Sequence, residues 1–396
     1  MNVLTIATLY PNSTQPVHAM FVEQRVKAMA KRFPVKVICP IPWFPLTQRM
    51  ARYRHRLAIP RHEVRDGIDV YYPRFVSIPR FLKPLDGVFL ALSCGWTARR
   101  IRRAFPFDRI DANLAFPDGW GGILLGRWFR VPVAVTLRGH DVNDLPRYPV
   151  RRRQVAWALR RADAVFAVAD ALRDRAIELG ARPDRTRTIG NGVDPSLFHP
   201  MDRAEARRSL GLPADAKIAL SVGHLVERKG FHHLVRAWAN VRARVPAARL
   251  VIVGGAGEEG DFRAALSRTI SENGMDAAVS LPGAVPHDQL VKWFAAADVF
   301  CLASEKEGRA NVLLEALACG VPIVATRVWG TPEIVSDDRF GILVDGVAPD
   351  TLGRAIADAF ERAWDRDALV RHSASFSWEG AAAQMEEAFR TMGENA

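Results

Sequence analysis

Short runs of β-branched and aliphatic residues alternate with helical segments along the whole chain. "NVLTIAT" reads as a strand and "MFVEQRVKAMAKR" has helical periodicity, with "VKVICPI" following as a buried strand. "GIDVYYP", "DANLAF", "VPVAVTL" and "DAVFAVA" continue the series. The pattern restarts after the polar segment "DRAEARRSLGLPADAK", with strands expected at "KIALSVG", "RLVIVGG", "AVSLPG", "DVFCLA" and "VPIVAT". Strands that alternate with helices need crossover connections, and these produce parallel sheets. The chain is therefore expected to be α/β, with two doubly wound Rossmann-like domains joined near residues 198–216. Such sheets bind ligands beyond the carboxyl ends of their strands, so the site is expected in a cleft between the domains.

Composition agrees with two real cores. The chain has 396 residues, 49% of them apolar and 25% charged. No uninterrupted run of 18 apolar residues predicts a spanning helix, and "MNVLTIATLYP" reads as a buried first strand rather than a signal peptide. Cys39, Cys94, Cys301 and Cys319 are widely spaced, which argues against a cysteine zinc site or a disulfide framework and fits a reducing, cytoplasmic setting.

Charge changes the picture more. Residues 1–200 hold 33 Lys and Arg against 16 Asp and Glu, while the remainder holds 22 against 27. A strongly basic first half implies an anionic partner there: a membrane surface, a phosphorylated acceptor or nucleic acid. Solvated arginines are the plain alternative. In "QRMARYRHRLAIPR" a helical wheel puts Met50, Tyr53 and Leu57 on one face and Arg49, Arg52 and Arg56 on the other. "RFVSIPRFLKPLDGVF" adds Phe75, Phe81, Leu82 and Phe89 among Arg74, Arg80 and Lys83. Each basic residue at an anionic membrane contributes about 1 kcal/mol, so peripheral docking through the first domain is favoured. No nucleic-acid-binding motif appears, so no nucleic acid is expected as a partner.

Three stretches carry candidate chemistry. Gly223 closes a strand before "HLVERKG", where loop amides, Arg228 and Lys229 make a plausible diphosphate clamp; a solvated basic pair is the competing reading. Gly254-Gly255-Ala256-Gly257 lacks the register of a dinucleotide fingerprint, which argues against a nicotinamide site. "EGRANVLLE" places Glu307 before and Glu315 within a short helix expected from about Val312 to Cys319, with Asn311 as its N-cap. That helix is apolar nearly all round, so a carboxylate on it needs a partner, and a cis-diol is a good one. The amides of Gly308, Arg309, Ala310, Asn311 and Val312 would face an oxygen-rich ligand. "TPEIV" reads instead as an ordinary helix start with Thr331 as N-cap.

"SEKEGRANVLLEALACGVPIVAT", "WGTPEIV" and "GILV" resemble the donor-binding segment of the family-four retaining glycosyltransferases of GT-B fold, with Glu307 and Glu315 matching their Glu-x7-Glu motif. "SVGHLVERKG", "LVIVGGAG", "LPGAVPHDQLVKWFAAADVF" and "IGNGVDPSLFHP" occur in the family's order. The likeness is tight from 187 to 346 and extends over most of the chain, in the manner of bacterial members that build teichuronic acid and exopolysaccharides. It implies domains at 1–198 (acceptor side) and 199–375 (donor side), and a C-terminal helix, 376–396, packing back on the first. It implies that Lys229 contacts the diphosphate, with His224 where many members have arginine and Arg228 beside it. It further implies Glu315 on the ribose, Glu307 on the transferred sugar and Val285 near the base. Arg138 occupies the place of a family histidine, and His140 follows it; either would touch the donor sugar. Ala19 stands where a glycine is common.

The implied activity is retaining, metal-independent transfer from a UDP- or GDP-linked sugar to a glycan or lipid-linked acceptor, at the cytoplasmic membrane. No cofactor and no metal site is expected. A catalytically inactive sugar-nucleotide-binding protein is the alternative.

Overall fold

The first strand shows how the sequence builds its core. Leu4 and Ile6 pack into one hydrophobic cluster and Val3 into another, because successive side chains of a strand face opposite sides of the sheet. The structure is a computed structural model that describes residues 1–79, 81–257 and 259–392, without the side chains of Ala51 and Arg52. The membrane reading of Arg80 and of the Arg52 side chain, and residues 393–396 of the expected C-terminal helix, lie outside the described residues.

The chain divides into two units. The first is Met1–Asn191 together with Trp378–Ala396, and the second is Gly192–Ser377. These boundaries differ from 198/199 and 375/376. Residues 193–198 go with the second unit because Val193 N–H donates to the Phe376 carbonyl and Phe198 packs edge-on against His287 and Phe294.

In the first unit the strands are β1 (Val3–Ile6), β2 (Val35–Ile38), β3 (Ile41–Trp43), β4 (His62–Arg65), β5 (Ile68–Tyr71), β6 (Arg74–Val76), β7 (Arg109–Asn113), β8 (Val133–Leu137), β9 (Ala164–Ala167) and β10 (Thr186–Thr188). Eight form one sheet in the order β10-β9-β8-β7-β1-β2-β5-β4, and β3 pairs with β6 separately. All neighbours in the large sheet are parallel except β4 and β5. That antiparallel pair is a hairpin closed by Asp66 and Gly67, both at positive φ (47° and 79°), as a two-residue primed turn requires. The helix Trp378–Thr391 packs on this unit, where Phe389 meets Phe33 and Phe166 edge-on and the Arg109 Nε–H donates to the Phe389 carbonyl.

In the second unit β11 (Ile218–Val222), β12 (Arg249–Val253), β13 (Val279–Gly283), β14 (Val299–Leu302), β15 (Ile323–Thr326) and β16 (Gly341–Val344) form one parallel sheet in the order β13-β12-β11-β14-β15-β16. Chain order reverses between β11 and β14, so the loops leaving their carboxyl ends part there and leave a crevice. The glycines after β12 have a packing role: a Cβ on Gly254 would lie 1.8 Å from the Gly223 carbonyl oxygen.

Ala19, just before the helix Met20–Ala30, adopts left-handed backbone angles (φ 51°, ψ 40°). This conformation crowds a Cβ against the following carbonyl and costs an L-residue about 1 kcal/mol or more. Ala19→Gly is expected to raise stability by about 0.5 to 1 kcal/mol, after the entropy of the freer unfolded chain is counted. The measurement is the urea midpoint of unfolding; an unchanged or lower midpoint would contradict the strain.

Candidate active site

Lys229 and Glu307, two of the expected donor residues, meet at the β11/β14 crevice of the second unit. Lys229 lies at the end of the β11 loop and Glu307 follows β14. Lys229 Nζ donates to Glu307 Oε1 at 2.6 Å, and Ser304 Oγ donates to the same oxygen at 2.8 Å. Both charged side chains are largely buried, 14% and 8% exposed. The β11 loop is pressed against the β14 strand end: a Cβ on Gly230 would lie 1.9 Å from the Ala303 carbonyl oxygen, and Gly230 itself has φ 69°. Lysine carries three donor hydrogens, so Lys229 can hold Glu307 and still donate to a phosphate oxygen.

The helix Asn311–Ala318 carries Glu315. Its start corrects the capping expectation: Asn311 is the first helical residue, after an extended Ala310 that supplies no side-chain cap. Thr331 is likewise the first helical residue, after Gly330. Glu315 is 8% exposed, and its Oε1 lies 3.1 Å from His287 Nε2. Its other oxygen, Oε2, is buried with no hydrogen-bond partner among the described residues. A buried carboxylate oxygen without a donor costs about 1 to 3 kcal/mol or more, so the site is incomplete without one. Burial lowers the His287 pKa, but the hydrogen bond and charge of Glu315 outweigh it and raise the imidazole above its ordinary value.

The other expected positions divide. Gly223 lies between β11 and Lys229, where an added Cβ would be 3.6 Å from the lysine chain. His224 is exposed beside it. Val285 packs at the edge of the core cluster that holds the 311–318 helix. Gly308 and Val312 are half-buried on either side of Ala310. Two arginine side chains have other partners. Arg228 forms a surface pair with Glu259 at 2.7 Å. Arg309 turns its side chain, 4% exposed, to Glu333 at 3.5 Å and over the Phe376 ring, so only its amide is left for the expected donor contact.

Arg138 and His140 lie in the first unit, just after β8. The Arg138 guanidinium is directed into that unit, donating to Asn113 Oδ1 and, at 3.2 Å, to Asn191 Oδ1, with the Phe21 ring beneath it. Burial first, and then Arg25, push its pKa well below the usual value. Two of its nitrogens are thus held within the first unit, while its Nε has no hydrogen-bond partner among the described residues. His140 begins a four-residue helix, is 70% exposed, and meets Asp144 at 3.2 Å. Of the two, His140 is the more exposed.

The segment read as membrane-facing is also partly corrected. Phe75 is buried on β6, Arg74 donates to the Ile59 and Tyr72 carbonyls, and Lys83 pairs with Asp86. Arg56 lies over the Tyr53 ring, 4.8 Å from its centroid, and not on an opposite face. Phe81 and Leu82 are exposed, at 70% and 58%. A separate groove of about 780 Å³ in this unit is lined by residues including Arg61, Arg74, Leu92, Trp96 and Arg100, and by none of the expected site residues. No described helix is long and apolar enough to cross a membrane.

Sequence reasoning missed His287 and Ser304. "HDQL" stood in a quoted family segment, but nothing local marks a histidine as the partner of a carboxylate 28 positions away.

Comparison with known proteins identifies the family and the fold. A family model described as Glycosyl transferases group 1 matches residues 202–374, and one described as Glycosyltransferase Family 4 matches residues 19–197. A Bacillus subtilis protein named for teichuronic acid biosynthesis, the glycosyltransferase TuaC, is 30% identical over 360 residues, covering 90% of this chain and 88% of that one. A D-inositol 3-phosphate glycosyltransferase of Kribbella flavida is 32% identical over 317 residues, 74% of this chain and 73% of its own. Among solved structures, sucrose-phosphate synthase from Thermosynechococcus elongatus superposes with a TM-score of 0.80 at 22% identity over the full length of both chains. Anabaena HepE in complex with UDP superposes with a TM-score of 0.75 at 21% identity, covering 99% of this chain and all of the other. At such identities the likeness speaks for the fold.

Proposed function

The chain belongs to the family 4 glycosyltransferases of GT-B fold, and from that premise we propose a retaining transfer of a hexose from a UDP- or GDP-linked donor to a lipid-linked glycan. The observation that carries the donor assignment is the unpartnered, buried Oε2 of Glu315. A ribose diol supplies the hydroxyl donors this carboxylate lacks, while His287 holds Oε1.

In this reading the diphosphate lies at the crevice beside Lys229 and the amides of residues 308–312. Charge developing on the leaving phosphate is offset by Lys229 and by the start of the 311–318 helix. The acceptor oxygen bonds to the anomeric carbon on the face from which the phosphate departs. The acceptor's proton passes to that phosphate oxygen, so no strong general base is required. Glu307, held by Lys229 and Ser304, orients the sugar. These groups perform the chemistry without a metal.

The names of TuaC and HepE's bound UDP support a UDP-linked donor and a cell-surface polysaccharide product. The basic first half and exposed Phe81 and Leu82 support peripheral docking on the cytoplasmic membrane face.

A thermal-shift panel of UDP-, GDP- and ADP-sugars tests the donor. The true one, at about 100 times its dissociation constant, stabilises by roughly 2.7 kcal/mol. No stabilisation by any of them overturns the assignment. Stabilisation without hydrolysis or transfer would favour the inactive binding protein instead, and NMR of the product's anomeric proton reads the stereochemistry. For docking, Phe81→Ser with Leu82→Ser is expected to weaken co-sedimentation with anionic vesicles at least tenfold, since each buried side chain contributes about 1.5 to 3 kcal/mol. Unchanged sedimentation would remove these residues from the membrane contact.

A further inference from the structure

We propose that His232, His233 and Glu305 form a binding site for a divalent transition-metal ion, Zn²⁺ foremost, on the flank of the β11/β14 crevice. One ligand atom from each of the three residues lies within 4.8 Å of the other two. His232 and His233 open the helix Phe231–Arg244, and their rings stand 3.9 Å apart. Glu305 comes from the loop after β14, which the Glu305 N–H fastens to the Arg228 carbonyl.

Two further observations point to a ligand. His232 is 7% exposed, and its Nδ1 is buried without a hydrogen-bond partner among the described residues. A buried imidazole nitrogen left so is uncommon unless something absent completes it. His233 Nε2 and Glu305 Oε1 are 3.3 Å apart. That is long for a charge-assisted hydrogen bond, and it equals the edge of a tetrahedron whose metal–ligand bonds are about 2.0 to 2.1 Å. Two imidazoles and one carboxylate are a donor set suited to Zn²⁺. Glu305 is half exposed, which leaves the fourth position to water. Arg236 is the cation facing the cluster, and the Glu305 carboxylate opposes its charge.

The sequence reading looked for zinc among cysteines and so passed over this set. The ion stands apart from the transfer step. Its consequence is mechanical, because it would tie the first turn of the 231–244 helix to the loop that carries Ser304 and Glu307.

The test is calorimetric titration of ZnCl₂ into the untagged full chain after dialysis against a chelator, with Co²⁺ absorption as a second readout. One ion per chain is expected, with four-coordinate Co²⁺ bands in the visible. Glu305→Gln is the gentle variant, since its side chain is half exposed, and it is expected to weaken Zn²⁺ at least tenfold. His233→Ala, with its fold checked by circular dichroism, is expected to abolish binding. Saturating UDP is expected to leave the Zn²⁺ stoichiometry at one ion per chain, which separates this site from the donor site. Absence of Zn²⁺ binding by the parent, or binding that both cluster variants leave unchanged, overturns the proposal.

Discussion

Lys229→Ala is expected to lower turnover roughly 10²- to 10³-fold, the cost of removing a preorganised donor from a developing anion. It is also expected to destabilise the second unit. Its partner Glu307 is 8% exposed and, among the described residues, would keep only the Ser304 hydroxyl. Breaking a buried pair from one side costs about 3 kcal/mol, because the remaining charge is left in a poorly solvated place. The two effects separate in the double variant Lys229→Ala/Glu307→Gln. Neutralising the stranded carboxylate should recover most of the lost stability, read as the urea midpoint, and none of the lost turnover. If the double variant recovers activity with stability, Lys229 serves only to hold Glu307. If single and double variants both turn over normally, the phosphate contact is wrong.

This coupling of stability to catalysis was only half legible in the sequence. The Glu307/Glu315 spacing and the lysine after Gly223 were visible because each sits at a fixed offset from a strand end. That Lys229 and Glu307 hold each other was not visible, since 78 positions separate them and β14 must lie beside β11 first. The parallel sheets were readable from apolar runs; the antiparallel β4–β5 hairpin was not among the expected elements, although its Asp66-Gly67 turn is the local mark of one. The membrane segment was corrected only in part, and for a definable reason. A single tally of apolar and basic residues was applied to a stretch that begins as a strand, β6, where Phe75 faces inward and Val76 outward. The Arg309 side chain could not be aimed from the sequence: its neighbours, Glu333 on the 331–334 helix and Phe376, lie far along the chain, and no local rule directs a side chain at them.

Glu315→Ala is expected to raise the dissociation constant for the nucleoside diphosphate roughly 10- to 100-fold, the range set by losing one hydrogen bond to a charged group. Calorimetry with UDP and GDP measures it. The apo-protein should not suffer in proportion, because the substitution also removes the burial of an unpartnered oxygen. Glu315→Gln isolates the charge. In the parent, the His287 imidazole is protonated more readily than an ordinary histidine, because Glu315 offsets its burial. The raised pKa fixes the sign of the pH effect. The stability this pair contributes is fully present below about pH 6.5, the unfolded value, and is lost as pH rises through the higher folded value. Glu315→Gln removes the charge and leaves the burial. His287 should then titrate lower than in the parent, with the charges of Asp288 and Asp194 still favouring its protonated form, and the extra stability present at low pH should shrink accordingly. NMR titration of the His287 ring protons reads both proteins. A pKa that is unmoved by the substitution would show that Glu315 does not govern His287, and it would also undercut the picture of a carboxylate with one oxygen held and the other awaiting a ribose.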